Sequence, residues 1–232
     1  MTEINKERRL EFADQWVSAK LVENVHSYAA TGIIVNLSHH PLVLGGDVQT
    51  VIPPWKSAKL QNSVIGHAER VAIFDVPVVT NIGGLTFGEW DWFGNRFEKF
   101  PRTTPLYISR YDWIGKTTAN PFRFSNTVSD IVENDDYGIR LNLWWSPAVT
   151  DCFIHNEHPF LEIHTQIFGN GRIQIFNERD ASTLCREIIM VPGLTHDPFV
   201  QVSGKREWRY PWHRYWSDTD CIWLAIELHP KD

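Results

Sequence analysis

The sequence has little from which to build a covalent or thiolate framework. Cysteine occurs only at Cys152, Cys185 and Cys221. The number is odd, the spacing is wide and no Cys-x-x-Cys pair occurs, so a disulfide scaffold does not fit; the thiols read as reduced and buried, as in a cytosolic protein. Long apolar runs are also missing, and none approaches the roughly twenty residues that a bilayer-spanning helix needs. The polar start MTEINKERR has no apolar core of the kind a secretory signal carries. Positive charge is in deficit: 22 Lys and Arg stand against 28 Asp and Glu, a net charge of −6. That balance argues against nucleic acid or an anionic membrane surface as the main partner. There is no Gly-x-Ser-x-Gly elbow, no phosphate-binding glycine loop and no dinucleotide fingerprint.

Aromatic side chains are abundant. The chain has 11 Trp and 13 Phe, and 43% of its 232 residues are hydrophobic, enough for a substantial core. Large aromatics suit the walls of small β-barrels and pockets for organic molecules. Leu10, Ala13, Val17 and Leu21 recur at helical spacing, so residues 5–25 are expected to form an amphipathic helix packed on the outside of the fold or on a second subunit. After Gly32 the pattern becomes β: residues 33–37, 42–44, 48–52 and 70–80 read as short strands separated by Gly and Pro. His39-His40 precedes Pro41 and is expected in a turn rather than around a metal. Residues 83–126 are irregular and rich in Phe, Trp and Tyr. They fit a subunit contact, a lid or ordinary loops, and Arg96, Arg102, Arg110 or Arg123 could offer a guanidinium to a substrate carboxylate. Residues 128–132 and 138–145 read as the first strands of a second β region that closes with residues 221–228.

The densest chemistry lies between Thr150 and His196. Pro159 to Phe168 reads as a strand ended by the turn Gly169-Asn170-Gly171, with residues 172–176 returning. On a strand, Glu162, His164 and Gln166 share one face, and His158 has the same parity. Two imidazoles and a carboxylate suit a divalent metal, Fe(II) first, with Mn, Ni, Co and Zn open. His196, beyond Pro192-Gly193, could close the shell. The expected ligands are therefore His158, Glu162, His164 and His196, with Glu162 alternatively a catalytic base hydrogen-bonded to one imidazole and His155 as the rival to His164. Gln166 would orient a bound water or a substrate oxygen. Further on, the Trp- and Arg-rich string 208–216 could place Arg or His beside a pocket, or form a surface clamp.

At these residues the chain resembles the cupin superfamily. Glu162 and Gly169 keep the Glu-to-Gly interval of the family's first motif. His158 falls where its second His is expected, and Asn156 where its first would be. Pro192-Gly193-Leu194-Thr195-His196 resembles the second motif, with its Pro displaced by one residue. The resemblance covers roughly residues 130–230. It implies a mainly β fold, a cupin-type antiparallel barrel (a jelly roll) with a metal inside one mouth. The expected organisation is a helical segment over 1–30, a β-rich region over 31–127 that could be a degenerate, metal-free half, and a metal-binding barrel over 128–232. The expected function is a cytoplasmic, homodimeric metalloenzyme, a non-haem Fe(II) oxygenase acting on a small organic molecule. A metal-dependent isomerase or lyase and a non-catalytic binding cupin are the alternatives.

Overall fold

The computed structural model describes residues 3–14, 16–46, 50–75, 90–126 and 129–231. Every regular element longer than a 3₁₀ turn among them is a strand. The first sheet is built from β1 (Lys6–Arg9), β2 (Ser18–Asn36), β3 (Leu42–Leu44), β4 (Thr50–Ile52) and β5 (Ser57–Asp75), in the order β1-β2-β5-β3-β4. The two long strands bend. Phe74 to Val71 of β5 pair with Ala19 to Val22 on one side and with Ile33 to Asn36 on the other. The sheet thus curls round a small core of its own that contains Val22, Val25, Ile34, Ile65 and Val71.

The expected N-terminal helix is absent. Residues 6–9 and 20–23 pair as antiparallel strands. The turn between them is held by Asp14, whose carboxylate accepts the backbone N–H groups of Trp16 and Val17 at 2.7 and 2.6 Å. Of the apolar residues that suggested a helix, Leu10, Val17 and Leu21 are buried all the same and Ala13 is half-buried. Leu10 and Phe12 alternate on one arm of the hairpin, and Val17, Ala19 and Leu21 on the other, so a period of two was present beneath the apparent period of 3.6. Once buried, both arms join the main core.

That core belongs to the C-terminal barrel. One sheet contains β6 (Asp91–Trp92), β7 (Tyr107–Ile108), β8 (Asp112–Ala119), β9 (Asp135–Ser146), β11 (Leu161–Phe168) and β17 (Cys221–Pro230). The other runs β10-β16-β12-β13, with β10 at Thr150–Asp151, β12 at Gly171–Phe176, β13 at Leu184–Met190 and β16 at Trp212–Ser217. A short hairpin of β14 (Gln201–Gly204) and β15 (Glu207–Arg209) sits between β13 and β16. The chain passes from β9 to β10 to β11 to β12 by changing sheets each time, and Thr195 bridges back to Thr165 of β11. The resulting neighbours, β9-β17-β11-Thr195 and β10-β16-β12-β13, are those of an eight-stranded jelly roll, the architecture of cupins.

The strands expected over 138–145, 172–176 and 221–228 are all present, each slightly longer. Residues 129–132 are not a strand, and position 128, like 47–49 and 76–89, lies outside the described residues. Glycine fixes the β11–β12 turn. Gly169 sits at φ +70°, and a Cβ there would stand 1.8 Å from the carbonyl oxygen of Asp220. Cys152 and Cys221 are buried as expected, but Cys185 is exposed. Its strand, β13, lies at the sheet edge among the described residues, paired there with β12 alone.

Candidate metal centre

The polar side of β11 faces a cavity of about 460 Å³ inside the barrel. Strand parity delivers Glu162 and His164 to its wall. Glu162 is almost fully buried, and each of its oxygens meets one imidazole: Oε2 lies 3.3 Å from His158 Nδ1 and Oε1 lies 3.4 Å from His164 Nε2. Burial would raise the pKa of this carboxyl, but His164 and His158 outweigh it and hold the group below the usual carboxylate range. Glu162 therefore stays ionised and accepts from both rings.

His158 belongs to a second constellation. His155, His158 and His213 each bring one ring nitrogen to a common point, all within 4.8 Å of one another. The other nitrogen of each ring is occupied. His155 Nδ1–H donates to the Phe153 carbonyl at 3.0 Å, His213 Nδ1–H donates to the Pro211 carbonyl at 2.8 Å, and His158 Nδ1 faces Glu162. These partners set the tautomers and leave each Nε2 unprotonated, with those of His158 and His213 facing each other. A fixing acceptor behind each imidazole is the arrangement found around protein-bound metals.

His158 Nε2 and His213 Nε2 lie 3.1 Å apart. Two lone pairs at that distance repel unless a proton or a cation stands between them. Burial disfavours the proton: it takes His158 down to about 4, His213 well below its ordinary value, and lowers His155 as well. At neutral pH the three rings are uncharged donors. The donor set fits a divalent transition metal, since neutral imidazoles suit Fe, Zn, Ni and Cu.

The expected ligands are distributed differently. His158 is in the cluster. Glu162 and His164 stand beside it, and neither belongs to the three-residue group. His196 does not reach it. Its Nδ1–H donates to the Asp197 carbonyl at 2.7 Å, and its Nε2 accepts the backbone N–H of His164 at 2.8 Å, so both nitrogens are occupied. Burial lowers its pKa to about 3, and it remains neutral. Gln166 is fully buried and engaged: its amide donates to the carbonyls of Phe168 and Gly169 at 2.8 and 3.1 Å and accepts from the Tyr215 hydroxyl. It ties the β11–β12 turn.

The parity argument that favoured His164 over His155 assumed a strand running back to Pro159. β11 starts at Leu161, and residues 152–160 are irregular apart from a bridge between His155 and His213. No strand parity therefore relates His155 or His158 to Glu162. The member of the cluster that sequence reading did not single out is His213, which was covered only by the expectation that the 208–216 string could place Arg or His beside a pocket. In β16 the residues His213, Tyr215 and Ser217 are buried while Trp212, Arg214 and Trp216 are half-buried, so the strand turns His213 inward.

The cavity wall is aromatic. Phe93, Phe100, Trp144 and Phe153 line it in contact with one another, and Arg96 is the one member of the four-arginine set expected near a substrate that reaches it. A second grouping, His39, His40 and Glu69, lies on the surface of the N-terminal sheet. His39 and His40 sit in the expected bend, with their rings 4.0 Å apart.

No family model matches the chain, and no curated protein does. The solved structures that it resembles are cupin-domain proteins. A Cupin 2 conserved barrel domain protein from Leptotrichia buccalis matches over 98% of this chain and 91% of its own, with 7% identity and a TM-score of 0.31. Oxalate decarboxylase from Bacillus subtilis, a protein with Mn(II) centres, matches over 93% and 70%, with 11% identity and a TM-score of 0.31. A protein of unknown function from Pseudomonas syringae pv. tomato matches over 95% and 86%, with 13% identity and a TM-score of 0.29. Likeness at this level carries no weight of its own. The barrel rests on its strand order, and the centre rests on its own geometry.

Proposed function

We propose that the chain is a metalloenzyme that holds one divalent transition metal on His155, His158 and His213 and transforms a small organic molecule in the barrel cavity. The observation that carries this reading is the convergence of one ring nitrogen from each of three uncharged imidazoles, with an acceptor facing each Nδ1. Three protein donors leave coordination positions open. When bound there, Fe(II) would supply oxygen-dependent chemistry, and an oxygenase or oxidase is the reading favoured here.

The chain's own groups set up the reaction space. Glu162 keeps the Nδ1 proton of His158 in place and fixes that ring. Its other oxygen faces His164 Nε2, so a proton can be held between Glu162 and His164 at the cavity wall. Glu227, buried beneath Arg140 and bonded to Asn142 and His229, anchors the neighbouring wall. The aromatic lining excludes water from whatever reacts there. A second reading has one specific support: three His with no carboxylate donor is also the set of some catalytic zinc sites, which suits a Lewis-acid isomerase or lyase.

Oxygen consumption by Fe(II)-loaded protein with candidate substrates tests the first reading. Substrate turnover without oxygen uptake transfers the case to the second, and metal binding without any turnover leaves a binding protein.

A further inference from the structure

The cavity has a charge balance opposite to that of the whole chain. Arg96, Lys99, Arg140, Arg179 and Arg214 line it, against Glu157, Glu162 and Glu227. The full sequence has 22 basic and 28 acidic residues. Three of the guanidiniums are already matched: Arg96 with Asp91 at 3.3 Å, Arg140 with Glu227 at 2.5 Å, and Arg214 with Asp151.

Arg179 is the exception among the four. It lies at the tip of the β12–β13 hairpin, and among the described residues it has no carboxylate partner. The adjacent Asp180 is turned away and accepts the backbone N–H of Ser182 at 2.8 Å. The Arg179 guanidinium instead sits against aromatic rings, 4.9 Å from the centroid of Phe153 and 5.8 Å from that of Trp212. Rings on this side chain limit its rotamers and leave its donor fork available at the cavity edge. Phe153 also starts an aromatic track: it meets Phe100 at 6.0 Å, Phe100 meets Phe93 at 4.9 Å, and Phe93 meets Trp144 at 4.5 Å. On its other side the Phe153 ring lies parallel to that of His155, 6.4 Å away. One ring therefore joins an unmatched cation, an apolar track and the imidazole cluster.

We infer that the cavity takes an organic acid, with the carboxylate paired to Arg179 and an apolar or flat body laid along Phe153, Phe100 and Phe93. The inference rests on the reading that this cavity is the substrate site, and it names the substrate class. The volume of about 460 Å³ is ordinary for a small-molecule pocket. Guanidinium and carboxylate pair through two parallel charge-assisted hydrogen bonds, which a neutral amide cannot reproduce.

The test is calorimetric titration of the purified full chain with benzoate, phenylacetate and hexanoate and with their primary amides. Each titration is run on protein loaded with Fe(II) and on protein treated with chelator, and the metal content of each sample is measured. At least one acid should bind, and its amide should bind about tenfold more weakly or worse. Arg179→Gln, at an exposed hairpin tip, should keep the wild-type melting curve, lose about tenfold in acid affinity and leave amide binding unchanged. Three results would overturn the inference: acid and amide bind alike, none of the acids binds, or Arg179→Gln holds the acid as wild type does. Failure of the metal reading looks different. Protein that takes up no metal yet still prefers the acid through Arg179 sustains the inference. Metal-loaded protein with no acid preference overturns it and leaves the metal centre intact.

Discussion

Replacing Glu162 by Gln removes a charge from the site and almost no volume. The carboxylate now accepts from two imidazoles at once, His158 Nδ1 at 3.3 Å and His164 Nε2 at 3.4 Å. A Gln has one acceptor oxygen and one donor amide. If its oxygen serves His158, its N–H₂ faces His164 Nε2, which must then accept, and the His164 proton moves to Nδ1. That atom is buried and has no hydrogen-bond partner. It lacks a partner in wild type too, so the variant's loss is that of the charged acceptor facing His164, about 1–3 kcal/mol. For a chain of this size the melting temperature shifts by about 2–4 °C per kcal/mol, so the variant should melt roughly 2–12 °C lower. The opposite amide orientation presents a donor to His158 Nδ1 and disturbs the ring that points at the metal position. Metal affinity should fall in either orientation, by about 10- to 100-fold, as for other partners that orient a ligand. Circular dichroism melts and metal competition against a chelator measure the two effects. Glu157→Gln, at an exposed neighbouring position, should change neither. A Glu162→Gln protein that binds metal like wild type would refute the assignment of Glu162 as the group that fixes His158.

Three further outcomes are expected. His196→Gln should lower stability, because His196 holds the His164 N–H and the Asp197 carbonyl. It should nevertheless bind metal to wild-type stoichiometry in a chelator competition; loss of that stoichiometry would make His196 a ligand after all. In metal-free protein, His196 has a folded pKa near 3 against an ordinary value near 6.5. The unfolded chain therefore binds the extra proton between those values, and stability, fully present above pH 6.5, is lost as pH falls from there toward 3. Urea midpoints that stay flat from pH 7 to 4.5 would contradict this. Arg8→Ala should destabilise the chain by about 1–3 kcal/mol in urea melts, since Arg8 pairs bidentately with the buried Asp112 at 2.7 and 2.8 Å and Asp112 would keep only the Glu11 N–H. A change below about 0.5 kcal/mol would show that the contact between the N-terminal hairpin and the barrel does not depend on this pair.

The barrel was legible where local chemistry speaks for itself. The turn at Gly169 requires a glycine, and the runs 138–145 and 221–228, rich in Leu, Ile and Trp, supply two core strands. The first hairpin was not legible as such, because Leu10, Val17 and Leu21 satisfy two periods at once and only pairing across the turn at Asp14 decides between them. In the site, Glu162 and His164 were placed correctly on one face because β11 is regular. His158 was expected as a ligand and His155 as the rival to His164, but both stand in an irregular segment where strand parity says nothing. His213 lies 55 residues from His158 in sequence and meets it only through the pairing of β16 with β12 and with β10. Non-local contacts of that kind leave no local spacing to read. His196 was suggested by a turn that does form, but both of its ring nitrogens are engaged by the backbone.

The central claim is that His155, His158 and His213 hold one divalent metal ion. Metal analysis of wild type and His213→Gln after identical anaerobic Fe(II) loading and desalting tests it most directly. The account predicts about one ion per chain in wild type and less than about a tenth of that in the variant, with matching circular dichroism spectra. Equal loading of the two proteins, or no retained metal in wild type, would contradict it.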